Sequence, residues 1–142
     1  MYDMETCLAF ITSCAAKKIT DTFNEKLITL GITRIQWNAL YYLGSCEYMT
    51  QTELAKKLNV KNSTAARLIG RMERDGHVYR KKSDNDRRTV KLMITPDGRQ
   101  IRERIFPEEE KLSILACRDI SEEEEITFKK VLNKILTNIK QN

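Results

Sequence analysis

The side chains whose type and spacing could act on another molecule are mostly cations, and they crowd into one stretch. Lys61, Arg67, Arg71, Arg74, Arg80, Lys81, Lys82, Arg87, Arg88 and Lys91 stand there against the acids Glu73, Asp75, Asp84 and Asp86. The excess in this stretch is six positive charges, whereas the whole 142-residue chain carries +5, so the remainder is close to neutral. A cationic excess confined to one short segment is the electrostatic footprint of a polyanion contact.

Two groupings within the stretch differ in chemistry. Asn62, Ser63, Thr64, Arg67 and Arg71 fall on the outer side of one helical pattern, with Arg74 a turn further on. Short polar groups at a helix start and arginines along one face suit the base edges of a DNA major groove. A helix that only faced water would carry Glu and Lys more often. Thr50, Gln51 and Thr52, which open the preceding helix, join this candidate DNA-binding set. The second grouping runs from Arg80 to Arg88 and puts five bases around a turn that holds Asp84 and Asp86. Lys82, Ser83, Asp86, Arg87 and Arg88 are its candidate contact residues. An arginine at such a tip suits a narrow, A·T-rich minor groove. Asp86 is expected to pair with Arg88 and hold it extended.

Other chemistries find less support. The cysteines Cys7, Cys14, Cys46 and Cys117 are widely spaced, fit no zinc pattern, and lie far from His77, the one histidine. No metal or other cofactor is expected, and buried reduced thiols are the simplest reading. No GxSxG, phosphate-cradling glycine loop or paired-carboxylate site is present, which argues against an enzyme. A thiol redox switch on Cys7 or Cys14 is the alternative. Seven residues apart on one straight helix, the two cannot bridge each other. No tyrosine pair or base stands near either in sequence to stabilise a thiolate. Apolar residues make up 41% of the chain and charged residues 32%, enough for a core and a solvated surface. No apolar run is long enough to span a membrane, and the N-terminus lacks the features of a signal peptide, so a cytoplasmic location is expected.

The elements that must position the cationic groups are legible from their ends. Thr33 to Gln36, Thr50 to Glu53 and Ser121 to Glu124 read as capping boxes, and Thr95-Pro96 as a fourth helix start. Gly31 and Gly76 read as stops. The periodicity predicts helices over about 4–30, 34–45, 51–58 and 62–75, the second with Trp37, Leu40 and Tyr41 inward. Lys61 is a poor cap for the fourth helix and Asn62 a better one. Residues 77–82 and the alternating Val90, Leu92 and Ile94 predict one hairpin. A fifth helix from Pro96 should kink or break at Pro107, and a sixth covers about 122–140. The acidic runs Glu108-Glu109-Glu110 and Glu122 to Glu125 are read as favouring helix N-termini and repelling DNA. Residues 50–69 thus spell helix, tight turn, helix, with small Ala55 where the two cross. The fold expected is mostly α with a small β-hairpin wing. A winged helix-turn-helix DNA-binding domain spans 33–99, and dimerisation helices span 1–32 and 100–142. Those terminal stripes need a cover, and a second copy on a twofold axis supplies the most.

The residues Thr52 to Leu58, Ser63 to Arg67, Met72-Glu73-Arg74-Asp75-Gly76, Ser83 to Arg88 and Val90 to Gly98 resemble the MarR family in order and type. The Asp-Arg-Arg wing signature followed by a Val-x-Leu strand is the more specific part. The resemblance implies a twofold dimer built from the terminal helices that represses pseudo-palindromic operators on double-stranded DNA. It implies release by a small aromatic or phenolic ligand. It gives Asp86 the role of orienting acid and Arg88 that of minor-groove arginine. Trp37, Tyr41 and Ile11 are the candidate ligand-binding residues. Lys61 departs from the Ser or Asp that the family often has before its fourth helix.

Overall fold

The computed structural model describes residues 1–86 and 88–141. Among them are six α-helices and one hairpin: α1 (Leu8–Thr29), α2 (Arg34–Gly44), α3 (Gln51–Leu58), α4 (Asn62–Arg74), β1 (Val78–Lys82), β2 (Val90–Ile94), α5 (Pro96–Ala116) and α6 (Glu122–Lys140). A 3-10 turn at Met4–Thr6 precedes α1.

The helix starts follow local hydrogen-bond chemistry. Thr33, Thr50 and Ser121 each accept from the backbone N–H three residues on, and Gln36, Glu53 and Glu124 each accept from the cap's own N–H. Thr95 Oγ1 accepts from the Gly98 N–H at 3.0 Å and opens α5. The fourth helix differs from expectation. Its N-cap is Lys61, which makes no side-chain capping bond, and Asn62 is already the first helical residue. Gly31 and Gly76 leave their helices at φ +69° and +79°, a region open to glycine at little cost.

The chain divides into two compact units, residues 24–109 and residues 1–23 with 110–142. The first unit holds the core. Leu27, Ile32, Trp37, Leu40, Leu43, Leu54, Leu68, Ile69, Met72, Val78, Leu92 and Ile105 form one buried cluster. Leu27 and Ile105 belong to it, so this unit takes in the end of α1 and the first half of α5. The strands pair antiparallel with Val78 opposite Ile94 and Lys82 opposite Val90, and Met49 adds a bridge to Leu92. At the start of α2, Arg34 donates to both carboxylate oxygens of Glu109 at 3.0 and 3.1 Å and to Asn24 Oδ1 at 2.9 Å.

In the second unit no described residue is buried. Ile19, Ile114, Leu115, Ile126, Phe128 and Ile139 are all more than half exposed.

Two expectations about α5 and one about α2 need correction. The fifth helix runs through Pro107 without the break that was one of the two expected outcomes. Proline withholds a single N–H, and helix propagated on both sides outweighs that loss. Glu108 and Glu109 therefore stand inside a helix, not at an N-terminus, and they pair with Lys26 and Arg34. Tyr41 is 42% exposed. It shares its helix face with Ser45 and not with buried Leu40 and Leu43, since a 100° step separates neighbours on a helix.

Candidate nucleic-acid interface

The recognition surface is built on a buried seam. On α4, Ala65, Leu68, Ile69 and Met72 face inward and are buried. Their spacing of three and four residues forces Ser63, Arg67, Arg71 and Arg74 to the opposite side, where all four are exposed. Asn62 is exposed and Thr64 half-buried. On α3, Leu54 and Ala55 are buried, and the helix packs against α4. The turn between them is closed by Asn59, a left-handed cap at φ 55°, whose N–H reaches back to the end of α3. Val60 N–H donates to the Ala55 carbonyl at 3.0 Å and completes the turn.

The first turn of α3 is busier than its sequence suggests. Thr50 spends its hydroxyl on the cap, accepting from Glu53 N–H at 3.2 Å. Gln51 Nε2 donates to the Asn62 carbonyl at 3.3 Å and links the starts of α3 and α4. Thr52 is exposed. Just upstream, Met49 exchanges two backbone bonds with Leu92, at 2.7 and 3.1 Å, and Lys91 Nζ lies 4.1 Å from the Tyr48 ring centroid.

The hairpin tip is ordered by its acid. Asp86 Oδ1 accepts from the Arg88 backbone N–H at 3.0 Å, and Oδ2 accepts from Thr89 Oγ1 at 3.1 Å. The expectation that Asp86 pairs with the Arg88 side chain is thus replaced. A two-residue separation across a tight turn brings the carboxylate to the backbone N–H, as in other Asx turns. Arg88 is exposed. Ser83 N–H donates to the Thr89 carbonyl at 2.9 Å and closes the loop base, and Lys82 is exposed at the end of β1. Arg87 lies outside the described residues. Arg80, absent from the sequence-derived set, pairs with Glu73 at 3.4 Å and ties β1 to α4. Only the folded register of β1 against α4 makes that pair, so no sequence spacing announced it.

The remaining candidates fall elsewhere. Trp37 is buried, with its ring centroid 6.2 Å from that of Tyr41. Tyr41 stacks on Phe106 of α5 at 6.3 Å and 10°, and the Arg102 guanidinium lies 5.6 Å and 5.4 Å from the two rings. Gly44 makes room for Arg102, because a Cβ there would collide with its Cδ and Nε. Ile11 belongs to the other unit, where Leu8, Ile11, Phe128, Val131, Leu132 and Ile135 line an apolar groove of about 210 Å³. Cys14 is exposed on α1. Cys7 lies just ahead of α1, and the Tyr2 hydroxyl bonded to it holds the thiol below its ordinary range, helped by the N–H groups of Phe10 and Ala9. A 3-10 turn capped by Asp3 separates Tyr2 from Cys7, and the pattern Asp-x-x-Thr-Cys marks that turn in the sequence. Burial and the nearby Glu53 charge push the Cys46 thiol the other way, up.

A recognition-type helix, a short supporting helix and an adjoining charged hairpin together define a winged helix-turn-helix protein. Residues 30–89 match the model of the MarR family. The chain is 30% identical over 101 residues to the organic hydroperoxide resistance transcriptional regulator of Bacillus subtilis (strain 168), covering 71% of this chain and 69% of that one. It is also 30% identical to the HTH-type transcriptional regulator YsmB of the same organism, over 98% of this chain and 92% of that one. Among solved structures it resembles that of the S. aureus MepR–DNA complex, with a TM-score of 0.87 and 23% identity over 95% of this chain and 98% of that one, a likeness of fold. The chain belongs to the MarR family of DNA-binding transcriptional regulators. No helix among the described residues is long and apolar enough to cross a membrane.

Proposed function

We propose that the chain works as a twofold dimer that represses transcription from pseudo-palindromic operators and releases them when a small aromatic ligand binds. The observation that carries the reading is the outward row of Ser63, Arg67, Arg71 and Arg74 beside the Asp86-ordered hairpin that bears Arg88. In this reading Asn62, Ser63, Thr64 and Arg67 meet base edges, while Thr50, Thr52, Arg71, Arg74, Lys82 and Ser83 meet the backbone. Arg88 reaches the minor groove, and Arg87 joins the DNA-binding set. Dimerisation is supported by the terminal-helix unit, which buries none of its described apolar side chains. A second copy brings a second α4 into the next major groove, about one helical turn or 34 Å away. The exposed stack of Tyr41 and Phe106 under Arg102 is the proposed face for the ligand. Selection from random duplex DNA tests the whole reading. It should return an inverted repeat, and a shapeless pool would sink it.

A second reading, a thiol switch at Cys7, is favoured by the Tyr2 contact and by the similarity to the hydroperoxide resistance regulator. The Cys7 thiolate would attack an organic hydroperoxide, forming S–O as O–O breaks and leaving a sulfenate and an alcohol. Stoichiometric hydroperoxide should then release DNA from the wild type but not from Cys7→Ser. Equal response of the two proteins rejects this reading.

A further inference from the structure

The DNA-facing elements are short, and something must set the recognition helix against its neighbours. Two ties converge on the entrance of α3. Met49 holds it to the wing through the paired bonds to Leu92. Gln51 holds it to α4 through the bond from Nε2 to the Asn62 carbonyl. Asn62 is the first residue of α4, and Lys61 before it makes no side-chain capping bond. Among the described residues, the Gln51 amide is therefore the one side chain of α3 that hydrogen-bonds to the leading end of the recognition helix.

We infer that Gln51 is a positioning residue: its amide sets where the first turn of α4 stands relative to α3, and so tunes base discrimination without touching a base. The inference rests on the DNA-reading function proposed above. The acceptor is a backbone carbonyl, so the strut acts whatever side chain residue 62 carries. Gln51 itself is half-buried, and the 3.3 Å bond engages its amide nitrogen. Thr50 is already committed to its cap and Thr52 points to solvent, which leaves this duty to Gln51.

The test uses the full-length protein and a random-sequence duplex library, with salt titration on the best site recovered. Gln51→Met keeps the length of the side chain and removes the donor. It should flatten preference at the base positions facing the start of α4 by about two- to tenfold, the worth of one neutral hydrogen bond. The salt slope and the preference at wing-facing positions should stay as in the wild type. Gln51→Lys restores a donor of similar reach and should recover the profile, with a steeper salt slope from its charge. A Gln51→Met protein with an intact profile and an affinity lowered by the same factor on every duplex would make Gln51 a phosphate contact and overturn the inference. An intact profile with an intact affinity would overturn it as well. Loss of thermal stability shared by both variants, with the profile lost in both, would show a packing role instead. A wild type that recovers no preferred duplex would overturn the DNA reading itself, a separate outcome.

Discussion

The two units of this chain are made from similar residues and reach opposite ends. The winged unit, residues 24–109, closes its apolar faces on one another, and Leu40, Leu54, Ile69 and Met72 lose nearly all contact with water. The unit of chain ends carries a stripe on α6 too, yet Phe128 and Ile139 on it stay about 60% exposed. The difference lies in element number and length. Three short helices, a hairpin and the adjoining parts of α1 and α5 can surround a common centre, whereas the rest of α1 and α5 with the long α6 present stripes along their length and leave them open. One unit covers its apolar side chains by its own packing, and the other leaves its own exposed.

The largest effects should separate these two cases. Ile69→Ala removes a fully buried side chain and should cost about 2–5 kcal/mol in chemical denaturation. A loss under about 1 kcal/mol would mean that the winged unit does not hold itself together as described. Leu132→Asp places a charge in the apolar groove of the other unit. It should leave the winged unit folded and convert a two-copy species into single chains in sedimentation, with a melting temperature that no longer rises with concentration. A wild type that sediments as a single chain would remove the contrast.

Smaller effects sharpen it. Glu109→Ala withdraws the two-pronged partner of Arg34, both groups about four-fifths covered. Breaking a half-buried pair of this geometry should cost about 1–3 kcal/mol, more than the exposed Lys17–Asp21 pair of the other unit, where Asp21→Ala should stay within about 0.5 kcal/mol. Equal costs would show that burial does not distinguish the two. Smallest in stability is Arg88→Ala, which should leave denaturation unchanged and lower the salt slope of DNA binding by about one. An unchanged slope would take Arg88 off the DNA.

Much of the site was legible because its positioning is local. The seam Ala65, Leu68, Ile69 and Met72 dictates which side of α4 carries Ser63, Arg67 and Arg71, and that follows from the helical period alone. The Tyr41 placement failed for the converse reason. An aromatic residue at helical spacing satisfies a periodicity argument whether it meets a core or a second aromatic ring at the surface, and Phe106 lies 65 positions away.

Helix starts, helix stops and the faces of α3 and α4 were determined by residues within four positions of one another, where capping and side-chain period act. The unbroken path through Pro107, the pairing of Glu109 with Arg34 and the Gln51 bond to Asn62 were decided by the folded chain. Short-range hydrogen bonds compete only with water and are written in the order of residues. Contacts between distant segments exist only after burial has chosen which segments meet.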